Sequence, residues 1–136
     1  MKLLLFYAPS FWFKTHQKVL EQVPDSEKEE LFEKAVVVFY QVEEEDVDRR
    51  GKVLTKFIKN VKWLAGKFET KGVVLHSFNH LSGSKADPEF AGPLIEEARE
   101  RLERSGYTVG MTPFGYLNEW KLHVAGDSLA KVFKET

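Results

Sequence analysis

The chain has 136 residues, of which 43% are apolar and 13% aromatic, which is enough for one packed core and too few for a multidomain enzyme. Its 20 Lys and Arg residues against 21 Asp and Glu residues leave a net charge of -1, so no overall basic field exists to hold a nucleic acid. The absence of cysteine excludes disulfides, thiolate metal sites and thiol nucleophiles, and it favours a cytoplasmic location. The first apolar run, Met1–Ala8, is too short to cross a membrane.

The first half of the chain predicts two strands and a long helix. Lys2–Ala8 and Ala35–Val42 are continuous apolar runs, typical of strands covered on both faces. Within 46–68 the apolar residues recur every three to four positions with Lys and Arg between them, which predicts an amphipathic helix. The segment Ser26–Lys34 is compatible with a further, shorter helix.

The second half of the chain predicts three more strands and two helices. Asp87 and Pro88 are typical of a helix start, and Gly106 favours its end because glycine adopts the left-handed conformation. The strands are Val73–Phe78, Tyr107–Met111 and Trp120–Val124, and a short final helix follows the turn Ala125–Ser128. The order of elements predicts a single α/β domain over residues 1–136, with a mixed β-sheet covered by helices.

Several familiar chemistries are excluded by the motifs. His76 and His80 have the spacing of a helical metal pair, but their segment is predicted as a strand that enters a loop, and no carboxylate or thiol completes a ligand set. The neighbouring serines lack a nucleophile elbow, and neither the phosphate-loop spacing nor a dinucleotide fingerprint occurs. The sequence therefore predicts no metal and no cofactor.

Two turn-rich segments at strand ends are the candidate site, and we expect them to meet in space: Phe78–Ser84 and Thr112–Asn118. Asn118 has the same strand parity as Trp120, so its amide is expected on the apolar face, where it needs a partner or a ligand. The alternative is an asparagine that bonds the turn backbone.

These segments, together with Ala125–Ala130, resemble the editing domain at the N-terminus of archaeal threonyl-tRNA synthetases. The resemblance extends over almost the whole chain, and it rests on Met1–Leu5, Val42-Glu43, His80-Leu81-Ser82 followed by Ala86 and Pro88, Gly106–Val109 and Pro113–Tyr116. It implies a fold like that of D-aminoacyl-tRNA deacylases and hydrolysis of serine wrongly attached to threonine tRNA. It also implies a homodimer.

Such an activity has a physical reason. A pocket that reads one methyl group gains only about 1 to 3 kcal/mol, so a synthetic site for threonine cannot reject serine well enough without a second sieve. The resemblance implies that the 2′-hydroxyl of the terminal ribose helps to activate the attacking water. The protein then positions the ester and stabilises the developing oxyanion, which suits a sequence without a nucleophile or metal.

The resemblance also implies roles for individual residues. The resemblance implies that His80 is a catalytic residue. Two further catalytic candidates depart from the family: Asn118 replaces a lysine, and Lys131 replaces a glutamate. One hypothesis is that Lys131 supplies the cation that position 118 has lost, and the alternative is a solvated lysine in a charged final helix. The implied substrate-binding residues are Val42, Phe78, Asn79, Phe114, Gly115, Tyr116 and Leu117.

The expected partner is the 3′ end of aminoacyl-tRNA, bound by a free-standing module that acts in trans. Two rivals stay open: a D-aminoacyl-tRNA deacylase, and a catalytically weak tRNA-end-binding partner of a threonyl-tRNA synthetase that lacks its editing domain. Lysines recur along the first helix at Lys52, Lys56, Lys59 and Lys62. They either gather charge for tRNA or form the solvated side of that helix.

Overall fold

A six-stranded mixed sheet with two long helices forms the protein in a computed structural model that describes residues 1–136. The strands are β1 (Lys2–Lys18), β2 (Glu29–Gln41), β3 (Gly72–Ser77), β4 (Thr108–Met111), β5 (Tyr116–His123) and β6 (Lys131–Glu135). The helices are α1 (Arg50–Lys67) and α2 (Pro88–Arg104), and short 3₁₀ helices cover Glu44–Arg49 and Ser128–Ala130. The predicted α/β class with a mixed sheet is confirmed.

The sheet is organised around β1. Its order is β4-β3-β2-β1-β5, and β6 also pairs with β1. β2, β3 and β4 are parallel to one another, whereas β1 is antiparallel to β2, β5 and β6. Because α1 and α2 each connect two parallel strands, the carboxyl ends of β2 and β3 and the first turns of both helices lie at one edge of the sheet.

The two faces of the sheet bury different side chains. One face packs under α1 and α2, with Leu5 and Val38 of the strands against Phe57 and Leu94 of the helices. Burial of each such side chain contributes roughly 1.5 to 3 kcal/mol. The opposite face carries a second apolar cluster to which no helix contributes: Ala8, Phe11, Phe13, Ala35, Val37, Phe39 and Val74.

Two predicted helices are wrong. Within Ser26–Lys34, residues from Glu29 onward extend β2 and pair with Ser10–Lys14 of β1. After Ala125–Ser128 the chain forms one 3₁₀ turn and then β6, which pairs with Lys2–Phe6. Both segments are short and rich in charge, so their local pattern is ambiguous, and pairing with a distant strand decides the outcome.

The boundaries of α2 follow the sequence signals closely, whereas the start of α1 does not. α2 begins at Pro88 after an extended Asp87, although the Asp87 carboxylate makes no cap hydrogen bond, and Gly106 follows its end with φ +93°. α1 begins later than predicted, because Asp46 lies in a preceding 3₁₀ turn and is buried. Its carboxylate accepts hydrogen bonds from the Met1 ammonium and from the backbone N–H of Glu43, each at 2.7 Å. Neither helix is long and apolar enough to cross a membrane.

Candidate functional site

A cavity of about 570 Å³ opens at the sheet edge where β2 and β3 end. It is bounded by the loop after β3, the first turns of α2, the loop before β5 and the connection between β1 and β2, and it mixes apolar walls with a few polar groups. A wider groove along Lys14–His16 and Asp25–Glu29 is lined almost wholly by polar side chains. The apolar walls place the candidate site in the first cavity.

The structure brings nine of the ten sequence-predicted site residues to this cavity: Val42, Phe78, Asn79, His80, Phe114, Gly115, Tyr116, Leu117 and Asn118. Lys131 is not among the lining residues. It lies at the start of β6 rather than in a helix, and its Nζ donates hydrogen bonds to the carbonyl oxygens of Ala125 at 2.9 Å and Asp127 at 3.3 Å. The structure therefore does not place the Lys131 ammonium beside Asn118.

The loop that carries His80 is held by the side chain of Gln41. Gln41 is buried at the end of β2, and its Oε1 accepts the backbone N–H groups of Leu81 at 2.8 Å and Ser82 at 2.9 Å. Its Nε2 donates to the carbonyl oxygens of Ser82 at 3.0 Å and Ser84 at 2.9 Å. One amide thus satisfies four backbone groups of the loop, and it fixes the chain directly after His80.

Glu43 anchors the same loop from the other side. Its carboxylate accepts the Ser82 hydroxyl at 2.6 Å and lies 3.0 Å from the Met1 ammonium. Burial raises the pKa of Glu43, but the Ser82 hydroxyl and the Met1 ammonium outweigh it and hold this pKa below its usual value. The carboxylate is therefore charged at neutral pH and bonds the loop as an anion.

Aromatic rings form one wall of the cavity. The ring of Phe78 contacts the exposed His80 imidazole edge to face, with centroids 4.9 Å apart. Phe39 lies behind it, with ring centroids 5.0 Å from Phe78 and 5.2 Å from Trp120. The His80 imidazole makes no hydrogen bond within the protein, so both of its ring nitrogens are available to a ligand or a water.

The second histidine of the sequence pair, His76, is buried beside these rings and also lines the cavity. Its Nδ1 lies 2.9 Å from the Thr112 hydroxyl, and burial lowers its pKa to about 4. The ring is neutral at pH 7 and has a fixed partner. His76 and His80 thus differ in burial, and no group of acidic, histidine or cysteine side chains in the molecule has the geometry to hold a metal ion.

The buried His76 makes the stability of the protein depend on pH. The unfolded chain binds a proton near pH 6.5, whereas the folded chain does so only near the lowered pKa of about 4. The free energy of unfolding therefore has its full value above pH 6.5, and it falls by up to about 3 kcal/mol as the pH drops to 4. In urea titrations at pH 7, 5.5 and 4.5, we expect His76→Asn to lose less stability on acidification than the wild type. Parallel curves for the two proteins would contradict the effect.

Gly115 and Tyr116 form the roof of the cavity, and they connect the loop before β5 with the segment between β1 and β2. Gly115 has φ +84°, and a Cβ there would lie 3.0 Å from both methyl groups of Val23. Its carbonyl oxygen accepts the backbone N–H groups of Val19 at 2.8 Å and Leu20 at 3.2 Å. The Tyr116 hydroxyl accepts the backbone N–H of Ser26 at 2.7 Å. Gly115 and Tyr116 are thus bonded to the connection between β1 and β2, and only glycine fits at position 115 without strain.

Asn118 is bonded at one end of its amide only. Its Nδ2 donates to the carbonyl oxygen of Tyr116 at 3.3 Å, whereas its buried Oδ1 has no partner. The bond to a carbonyl requires that the nitrogen face Tyr116, which fixes the oxygen as the unpaired end. Asn118 therefore bonds the turn backbone, as one of the two expectations from the sequence holds, and it also lines the cavity while its buried Oδ1 stays without a partner.

Sequence reasoning missed four residues that contribute to the site. Gln41 is a polar residue inside an apolar strand, and a buried amide must be satisfied, so this signal was present. Lys85 is the one lysine that lines the cavity, and it makes no ion pair. Val19 and Leu20 come from the connection between β1 and β2, and no local pattern connects that segment with the loop before β5.

The comparisons with known proteins identify the family. The model of the archaea-specific editing domain of threonyl-tRNA synthetase matches residues 1–136. The chain belongs to this family of editing domains. It is 29% identical over 135 residues to a threonine–tRNA ligase of Thermococcus onnurineus (strain NA1), and 30% identical over 138 residues to that of Hyperthermus butylicus (strain DSM 5456 / JCM 9403 / PLM1-5). Each match covers 97% of this chain and 22% of the ligase, so the editing domain spans about a fifth of these relatives.

A solved structure shows the same fold as this editing domain. The c-Myc DNA Unwinding Element Binding Protein superposes with a TM-score of 0.66 at 13% identity, and the match covers 100% of this chain and 99% of that one. At this identity the similarity shows the fold alone. The predicted D-aminoacyl-tRNA deacylase-like fold is thereby confirmed, and fold and family together support an aminoacyl-tRNA deacylase kind of activity.

Proposed function

We propose that the chain is an editing module that hydrolyses the ester of mischarged tRNA, with L-serine on threonine tRNA as its substrate. The observation that carries the proposal is the clamped His80 loop, which shares one cavity with Asn118 and the roof at Gly115. Family membership supports the reaction class. The cavity volume of about 570 Å³ is within the usual range of small-ligand pockets, roughly 300 to 1,000 Å³, and suits a terminal nucleoside with its amino acid.

The proposed reaction needs no protein nucleophile. A water oxygen attacks the ester carbonyl carbon, and the bond from that carbon to the ribose oxygen breaks. The 2′-hydroxyl of the substrate relays the proton of the water to the leaving 3′ oxygen, so the products are the free amino acid and a 3′-hydroxyl end. His80 orients the water, and Val42 and Phe78 hold the substrate against the aromatic wall.

Charge stabilisation falls to groups at the cavity rim. Lys85 supplies an ammonium that makes no ion pair, and the first turn of α2 borders the cavity through Pro88 and Ala91. A cation and a helix N-terminus both favour the negative oxygen that develops on the carbonyl. We propose Lys85, rather than Lys131, as the cation that compensates for Asn118.

Deacylation of purified tRNA tests the proposed function. The protein is incubated with Ser-tRNA and Thr-tRNA of the threonine isoacceptor and with a D-aminoacyl-tRNA. We expect rapid loss of serine while threonine is retained, and a rate at least tenfold lower for His80→Ala. His123→Ala is the matched control, because His123 is an exposed histidine outside the cavity, and it should keep the wild-type rate. Retention of all three amino acids would refute the proposal as an enzyme.

The same assay decides the two rivals. Loss of only the D-amino acid would identify a D-aminoacyl-tRNA deacylase, a function favoured by the neutral amide of Asn118 at a position where the family resemblance implies a lysine. Binding without turnover would identify a tRNA-end-binding partner of a threonyl-tRNA synthetase.

We also propose that the module forms a homodimer through the sheet face that no helix covers. Half-buried apolar side chains, Leu4, Phe6 and Leu122 among them, pack against the cluster on that face. Their incomplete burial supports a further apolar layer in solution.

A further inference from the structure

The first helix carries a charge pattern unlike the rest of the chain. α1 contains no Asp or Glu, although the chain as a whole has a net charge of -1. Its basic residues are Arg50, Lys52, Lys56, Lys59, Lys62 and Lys67. All the positive charge of this helix is therefore balanced elsewhere in the molecule, and the surface of α1 is locally basic.

Most of these cations have no partner. Arg50 pairs with Glu97 at 3.0 Å, and Lys62 donates to the Ser105 hydroxyl at 2.8 Å, but the remaining lysines of α1 make no ion pair. The adjacent α2 behaves differently, since two of its three arginines, Arg99 and Arg101, form ion pairs along the helix. Carboxylates on α2 thus neutralise arginines of the same helix, whereas α1 contains no carboxylate that could neutralise its lysines.

The pattern on α1 costs stability. Lys52 and Lys56 are four residues apart, and Lys56 and Lys59 three apart, and each like-charged pair destabilises a helix by roughly 0.2 to 0.5 kcal/mol. No acidic residue stands in the first turn to oppose the positive end of the helix dipole. A helix face that only contacts water gains nothing from this repulsion. A surface that binds a polyanion, by contrast, requires clustered positive charge.

An exposed aromatic ring lies in the same surface. Lys52, Lys56, Lys59 and Trp63 lie within about 60° of one another around the helix axis and extend over about 16 Å along it. Trp63 is 40% exposed, and the Nζ of Lys134 from β6 lies 5.2 Å from its ring centroid. We name these five residues the α1 patch. Cations spread over several turns beside an exposed tryptophan match a nucleic-acid strand better than a single small anion.

The α1 patch begins at the edge of the sheet that holds the cavity. β2 ends at Gln41, which clamps the His80 loop, and α1 starts at Arg50 after the 3₁₀ helix Glu44–Arg49. α2, which packs beside α1, contributes Pro88 to the cavity wall. A strand whose end occupies the cavity therefore has a path along α1 away from it.

We propose that the α1 patch docks the phosphate backbone of the acceptor stem whose 3′ end occupies the cavity. The inference rests on the proposed function, because it takes the tRNA as the ligand of the cavity. A chain with almost no net charge binds a polyanion in this way because its unpaired positive charge is concentrated on one helix.

The test compares two triple variants that remove the same charge. One is Lys52→Gln, Lys56→Gln and Lys59→Gln, and the control is Lys14→Gln, Lys28→Gln and Lys121→Gln, which are exposed lysines outside α1. Two substrates are used, Ser-tRNA and the 3′-seryl ester of adenosine, which has no stem. Circular dichroism and thermal unfolding verify the folds, and the α1 variant should be at least as stable as the wild type because repulsion is removed.

For the α1 variant we expect a rise of at least tenfold in the KM for Ser-tRNA with kcat and the hydrolysis of seryl-adenosine unchanged. The slope of log binding constant against log salt concentration is measured with tRNA that carries no amino acid. Its magnitude should decrease by about 0.7 to 0.9 per lysine removed. Equal losses in both triple variants, or a loss of binding to a threonyl-tRNA synthetase with tRNA affinity intact, would overturn the α1 patch as an RNA surface. Failure of the wild type on both substrates would instead refute the proposed function.

Discussion

Replacing Gln41 by leucine is expected to reduce kcat/KM for Ser-tRNA by about 100-fold, the effect that a displacement of about 1 Å at a catalytic group produces. The substitution keeps the side chain buried but leaves four backbone groups of residues 81–84 without their partner. Each costs about 1 to 3 kcal/mol if it stays buried. We expect the loop to open to water instead, which moves His80 away from the ester.

Two measurements separate this effect from general destabilisation. Amide hydrogen exchange at Leu81 and Ser82 should speed up in Gln41→Leu, while exchange in the helices stays near that of the wild type. Gln17→Leu is the matched control, because Gln17 is exposed on β1, and it should retain both activity and exchange rates. Unchanged protection at Leu81 and Ser82 would contradict the clamp.

Replacing Asn118 by leucine is expected to make the protein more stable and less active. The unpaired Oδ1 costs about 1 kcal/mol or more in the free protein, so its removal should raise Tm by about 3 °C. If Oδ1 accepts a hydrogen bond from the substrate ammonium or a ribose hydroxyl, the same change lowers kcat/KM by about tenfold. A residue with only a structural role would not move the two quantities in opposite directions.

Differential scanning calorimetry and the deacylation assay measure the two effects. Asn118→Lys is the informative companion, because it restores the residue type that the family resemblance implies at this position. We expect it to raise turnover of Ser-tRNA if the cavity works as an impaired version of the family's. A leucine variant that is less stable and fully active would show that the bond to the Tyr116 carbonyl is the sole role of Asn118.

The elements that were predicted well are those whose own pattern decides their structure. The apolar run Ala35–Val42 is buried almost throughout, and the periodic residues of α1 all face the core. The two candidate loops meet in one cavity because parallel strands end at the same edge, which topology alone implies. For this reason nine of the ten residues that the resemblance implies line the cavity, although the sequence contains no information on distances.

The errors share a physical cause, which is pairing between distant segments. The apolar pattern predicts a first strand that ends at Ala8, but β1 continues to Lys18 because β2 and β5 hydrogen-bond to that extension. For the same reason the final segment forms the strand β6 rather than the predicted helix, and Lys131 lies at the start of that strand. The side-chain clamp at Gln41 likewise joins residues about 40 positions apart, so no local rule reports it.

The pairing of β1 with β6 sets constraints on how the chain folds and what happens when it is cut. Leu3 pairs with Lys134, so one row of the central ladder closes only after residue 134 has been synthesised. Contacts of such high sequence separation slow folding relative to a helical protein of the same size. Until β6 docks, the apolar edge Lys2–Phe6 is an open template for other chains, and a proteolytic nick in the turn at Ala125–Ser128 would recreate that aggregation hazard in the mature protein.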